Sequence, residues 1–229
     1  MPKHNKGKAN KQPSTSRAKA PIKEEFPMQA QLIHLAPMRG ETSRWLIIMP
    51  PTGSKPYNAL HFIKTIQQAA LQTEAASANL ANPPNGTGPK IDWPAPGFMQ
   101  AIYPSAESEE EFVNFLITTR KSEEAIPHTH EQYGLTPILA KPGDKANWLV
   151  LGPPGTWDVH NRMKLARDIL DIMRATEGEE VCPPLHMLPA EGIKQVAPGI
   201  IQHLAQSRKN ENEWFTFTIL EMAQQTNQT

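Results

Sequence analysis

Cysteine is nearly absent from this chain. Cys182 is the one thiol in 229 residues, so no internal disulfide can form, and the chain fits a reducing compartment. Long apolar runs are missing too. "WLIIM" and "WLVL" are among the longest, far below the ~20 residues needed to span a bilayer. The opening "MPKHNKGKANKQ" has no apolar stretch behind its charges, which argues against a secretory signal. With 38% hydrophobic residues and a mean hydropathy of −0.51, the expectation is an intracellular protein, cytoplasmic or nuclear, with no membrane association. At 229 residues it can bury one large core or two small ones.

Acid is missing from the first 23 residues, and this absence exposes a charge split. Lys3, Lys6, Lys8, Lys11, Arg17, Lys19 and Lys23 precede the first carboxylate, Glu24. The remainder holds 16 basic and 23 acidic residues. The net charge of zero therefore conceals an arm of +7 and a body of −7. The arm, rich in Lys, Pro, Ser, Asn and Gln, has too little apolar surface to offset the entropy of ordering, so residues 1–28 are expected to be disordered.

What is present after residue 28 is a repeat. "GETSRWLIIMPPTGSKPYNALHFIKTI" (40–66) aligns with "GDKANWLVLGPPGTWDVHNRMKLARDI" (143–169), with Gly40/Gly143, Trp45/Trp148, Leu46/Leu149, Pro50/Pro153, Pro51/Pro154, Asn58/Asn161 and Ile66/Ile169 identical. One deleted residue later, "PGFMQAIYPSAESEEEFVNFLI" (96–117) aligns with "PGIIQHLAQSRKNENEWFTFTI" (198–219). Unrelated positions agree roughly once in fifteen at ordinary composition, so coincidence is a poor explanation. Residues 29–126 and 127–229 read as a first and a second α+β repeat.

Each copy opens with two apolar runs joined through Gly and an acid, "MRGETS" or "GDKA", which predicts a hairpin. The unbroken second strands predict burial on both faces. Leu60, Ile63, Ile66 and Ala70, and in the second copy Met163, Ala166, Ile169 and Met173, have helical spacing. "FMQAIY" and "IIQHLA" read as short strands, and the Pro-rich stretches before them as loops. Ser108-x-x-Glu111 and Asn210-x-x-Glu213 read as capping boxes, which turns "FVNFLI" and "WFTFTI" into helices. The predicted unit is β-β-α-β-α, twice, packed as one pseudo-twofold body. Read from its second strand, the order strand-helix-strand-helix-strand-strand resembles Alba-type nucleic-acid-binding domains in topology alone, which does not fix function.

"GPPGT" at 152–156 resembles the start of the phosphate loop of AAA-type ATPases. The resemblance ends there: Trp157, Asp158 and Val159 stand where that loop needs Gly, Lys and Ser/Thr, and a carboxylate repels phosphate. The first copy has "MPPTGSKPYN" at the same place. What both share is Pro-Pro, which stops a strand, with Asn58 and Asp158 or Asn161 available as helix caps. A structural turn is the expectation. His128, His130 and Glu131, and Cys182 with His186, lack zinc-site spacing. Cys182 beside "PP" lacks the setting of an activated nucleophile. The acids of "ESEEE" (107–111) read as a solvated helix start, and Trp45 and Trp148 as core.

No catalytic residue, metal or cofactor is therefore expected. The arm carries the functional expectation: spaced cations attract phosphates without sequence preference, and the lack of aromatic interleaving argues against base recognition. Ser14, Thr15 and Ser16 could tune it on phosphorylation. The expected protein is a non-enzymatic, packaging or coat-like RNA- or DNA-binding protein, with possible homo-oligomers. The alternative is a protein-interaction scaffold built on the acidic body.

Overall fold

In a computed structural model, residues 30–51, 59–73, 89–104, 110–122, 128–130, 132–140, 143–156, 162–178 and 193–225 are described. The order is β1 (Gln31–Leu35), β2 (Glu41–Met49), α1 (Ala59–Gln72), β3 (Lys90–Ala95), β4 (Phe98–Pro104) and β5 (Phe112–Thr119). Then follow β6 (His128–His130), β7 (Tyr133–Ile138), β8 (Asp144–Gly152), α2 (Arg162–Glu177), β9 (Ile193–Ala197), β10 (Ile200–Gln206) and β11 (Trp214–Glu221). The fold is α+β, with two similar mixed sheets, each carrying one helix.

The first sheet runs β1-β2-β5-β4-β3 and the second β7-β8-β11-β10-β9, with β6 added outside β7. The central pairs β2–β5 and β8–β11 are parallel, and every other pair is antiparallel. The similarity extends to irregularities. β2–β5 bulges between Glu41 and Ser43 and β8–β11 between Trp214 and Phe215. These are matching places in the two ladders, since Glu41 pairs with Phe112 as Asp144 pairs with Trp214.

Why these residues form these strands follows from where each face goes. In β2, Ile47 and Met49 meet Ile66, Ala69 and Ala70 of α1, while Leu46 and Ile48 face the other way. In β8, Val150 faces Leu165, Ile169 and Met173 of α2, while Leu149 and Leu151 face the other way. The remaining faces meet in a central layer that mixes both sheets: Leu35, Leu46, Ile48, Phe98 and Leu116 pack with Ile138, Leu149, Leu151, Ile200 and Leu220. The order of layers is helix, sheet, sheet, helix, and burial on both faces explains the unbroken apolar runs.

The sheets are also stitched along two edges. Leu35 bridges Met222, and Ile138 bridges Arg120. The Ala36 amide donates to Glu221 O at 2.9 Å and the Leu139 amide to Thr119 O at 3.1 Å. The Ala223 amide donates to His34 O at 3.1 Å and the Lys121 amide to Pro137 O at 2.9 Å. Every contact from the first sheet to the second in this set has a counterpart in the reverse direction.

The hairpin, α1, α2, β4 and β10 expectations hold. Gly40 and Gly143 turn the hairpins at φ 87° and 94°, and β2 and β8 end at Met49 and Gly152, immediately before the prolines. Two expectations do not hold. "FVNFLITT" and "WFTFTILE" are strands β5 and β11, not helices, and the Pro-rich connections contain the edge strands β3 and β9. The unit is β-β-α-β-β-β, so the likeness to Alba-type topology lapses. The second capping box is a turn: the Asn212 amide donates to Asn210 Oδ1 at 3.0 Å and the Glu213 amide to Asn210 O at 2.9 Å. Asn bonding its own backbone two residues on closes the β10–β11 hairpin instead of starting a helix. Ser108 and the expected caps Asn58 and Asn161 lie outside the described residues.

The tryptophans at matching places in β2 and β8 are both packed against core, with different polar ends. Trp148 is buried and its indole N–H donates to Glu177 Oε1 at 2.9 Å. Trp45 stacks on His34 at 4.5 Å, and its Nε1 has no hydrogen-bond partner among the described residues. Trp148→Phe is expected to cost about 1 kcal/mol more than Trp45→Phe, read from urea unfolding midpoints.

Candidate functional site

The turn after β8 is described through Thr156. The Thr156 amide donates to Pro153 O at 3.2 Å, and its hydroxyl donates to the same carbonyl. Gly155 takes φ 85°, and its amide donates to Glu221 Oε1 at 2.7 Å. A Cβ on Gly152 would lie 2.5 Å from Thr156 Oγ1, so glycine is needed there for the turn to close. The amide that a phosphate would take is thus occupied by a carboxylate from β11, and the turn serves the packing of β8 against β11. Millimolar ATP with magnesium is expected to leave the melting temperature unchanged, since a ligand stabilises only the state that binds it; an upward shift would contradict this reading.

Beside this turn lies a cleft of ≈ 230 Å³, whose lining includes Tyr133, Pro154, Thr156, Lys164 and Leu165. The Tyr133 hydroxyl donates to Asp168 Oδ2 at 2.7 Å, and Lys164 Nζ contacts the same oxygen at 2.7 Å and Gln132 Oε1 at 3.3 Å. Burial, followed by the bond to Asp168, pushes the Tyr133 phenol far above its usual range, so it stays a donor. The positive charge of Lys164 is answered within the cluster. In the first copy Ala30, His61 and Thr65 occupy the places of Tyr133, Lys164 and Asp168, so the cluster belongs to the second copy alone. The i,i+4 spacing of Lys164 and Asp168 was its sequence signal.

Among the described residues, Glu41 and Arg44 form a deeply buried ion pair. The side chains of Glu41 and Arg44 are 3% and 2% exposed, with Arg44 Nε 3.7 Å from Glu41 Oε2. Glu41 accepts from the Met38 amide at 2.9 Å and from Asn114 Nδ2 at 2.6 Å. Arg44 Nη2 donates to Pro198 O at 2.6 Å, in the turn before β10, and so ties the first sheet to the second. Burial lowers the Arg44 pKa, and Glu41 opposes that shift. The second copy keeps the carboxylate but not the cation: Thr216 Oγ1 donates to Asp144 Oδ2 at 2.9 Å, and Asn147 stands where Arg44 would, donating to Leu139 O at 3.3 Å. The unlike pair Arg44/Asn147 in the aligned copies could have drawn attention to this cluster.

The seven residues expected to bind phosphates, Lys3, Lys6, Lys8, Lys11, Arg17, Lys19 and Lys23, lie outside the described residues, as do Glu131, Cys182 and His186, which were not expected to act. His128 and His130 fall in β6. Glu110 and Glu111 are exposed just before β5, not in a helix. Glu213 pairs with Lys145 at 2.6 Å, and that bond, first among several, lowers its pKa. Among the described residues no group of three or more His, Cys, Asp or Glu side chains is placed to hold a metal ion.

Compared with known proteins, the chain matches no family model, no curated sequence and no solved structure.

Proposed function

We propose that this is a non-enzymatic nucleic-acid-associated protein. Its N-terminal arm holds phosphates, and its body is one module copied and packed on itself about a pseudo-twofold axis. The observation that carries the reading is the run of seven cations in residues 1–23 with no acid among them. Such a run binds RNA or DNA through phosphates and counterion release, without sequence readout. The body's excess of acid disfavours phosphate contact there, which leaves the arm as the contact element. Fully extended, 23 residues reach about 80 Å, far enough to follow a nucleic acid past the body's surface. The reciprocal stitching of the two sheets supports the copied-module reading.

The test compares the full chain with a chain lacking residues 1–23 for retention of RNA and of duplex DNA at low salt. Retention by the full chain and loss in the truncated one is expected. Equal retention would overturn the proposal.

A further inference from the structure

Arg44 and Asn114 stand opposite each other on the parallel pair β2–β5, and both reach the Glu41 carboxylate. Asn114 Nδ2 donates to Glu41 Oε1 at 2.6 Å, whereas Arg44 Nε lies 3.7 Å from Glu41 Oε2, beyond hydrogen-bonding distance. All three side chains are buried. Two of their polar atoms are left over: Arg44 Nε and Asn114 Oδ1 are shut off from solvent, and neither has a hydrogen-bond partner among the described residues. One is a donor and the other an acceptor. Native chains pair nearly all such buried atoms, either within the protein or through an ordered water.

We propose that this cluster binds one water molecule, which accepts from the Arg44 Nε–H and donates to Asn114 Oδ1 and Glu41 Oε2. The atoms to be satisfied set the chemistry of the ligand. A metal cation cannot accept from an N–H and is repelled by the guanidinium. A halide cannot donate to Asn114 Oδ1 and is repelled by the carboxylate. Water does both, and three partners is the usual number for a buried one. A polar contact stretched past about 3.5 Å is also where a bridging water belongs. The consequence is positional. With Nε held on the water, the guanidinium plane is fixed and Nη2 stays on Pro198 O, 2.6 Å away across the sheets. Asn114 is thus a positioning residue for that tie. The second sheet does not repeat the set: at the matching pair Asn147/Thr216, Thr216 donates directly to Asp144. Asn147 Oδ1 is unpaired there among the described residues, but no orphaned donor accompanies it.

The test is a water-to-protein Overhauser measurement on the isotope-labelled full chain, run in the laboratory and rotating frames so that proton exchange is told from contact. The Arg44 Nε–H and the Asn114 side-chain amide are both expected to show contact with a water held longer than the molecule takes to tumble. In Asn114→Leu, which cannot accept a hydrogen bond, the contact at Arg44 Nε–H is expected to be lost. Water relaxation dispersion is expected to count one long-lived water fewer in that variant. Absence of any water contact at the parent's Arg44 Nε–H would overturn the proposal without recourse to the variant. So would a crystal structure in which Asn114 Oδ1 accepts directly from Arg44 Nε, or an unchanged water count in a folded Asn114→Leu chain. Nucleic-acid binding is not an arm of this test, so it stands or fails apart from the proposed function.

Discussion

Arg44→Met is expected to lower the free energy of unfolding by about 3–5 kcal/mol, the range for removing one partner of a buried ion pair. Methionine fills much of the arginine's volume, so the loss comes from charge and hydrogen bonds more than from a void. Glu41 is left buried with its charge, and Pro198 O loses its donor across the sheets. Because a domain is stable by only about 5–15 kcal/mol, this one change consumes much of the margin. Glu41→Gln added to Arg44→Met is expected to cost less than the two single losses together, since the orphaned charge disappears with it. Urea unfolding of the four chains measures both statements; an Arg44→Met chain as stable as the parent would contradict them.

Gly199→Ala is expected to cost more than Gly97→Ala, although the two glycines occupy matching turns. Both have positive φ, 68° and 82°, so each alanine incurs about 1–2 kcal/mol of backbone strain. Around Gly97 a Cβ would find Leu139 O at 3.8 Å, ordinary contact. Around Gly199 it would fall inside the Arg44 guanidinium, with Met38 Sδ at 3.1 Å. Alanine there must expel the guanidinium from Pro198 O, which brings the cost to about 3–5 kcal/mol. In the Arg44→Met background most of the excess is expected to vanish, leaving only what contact with Met38 Sδ costs. An undiminished difference would show that Arg44 is not its cause.

The sequence made the hairpins legible because Gly40 and Gly143 had to adopt positive φ and acids followed them. It made α1 and α2 legible because each helix buries one face only. β5 and β11 were illegible for the opposite reason. They lie centrally between a helix and the other sheet, so Val113–Thr119 and Phe215–Leu220 are buried throughout. A strand buried on both faces loses its period of two and cannot be told from helix by periodicity. The aromatic and β-branched content of "FVNFLITT" and "WFTFTILE" was the better guide. β3 and β9 are mostly exposed edge strands with no apolar pattern to read, and Pro94 marks β3 as loop-like. In the candidate site, the mismatch between "GPPGT" and a phosphate loop was readable from Trp157 and Asp158. That Glu221 occupies the Gly155 amide was not readable, because it joins residues 66 positions apart.

Phosphate contact through the arm is tested most directly by the salt dependence of binding. The logarithm of the binding constant is plotted against the logarithm of salt concentration for the full chain and for the chain without residues 1–23. If all seven cations contact phosphates, the full chain is predicted to give a slope of about −6 on duplex DNA and about −5 on single strands, and the truncated chain a slope near zero. A slope that survives removal of residues 1–23 unchanged would contradict the account.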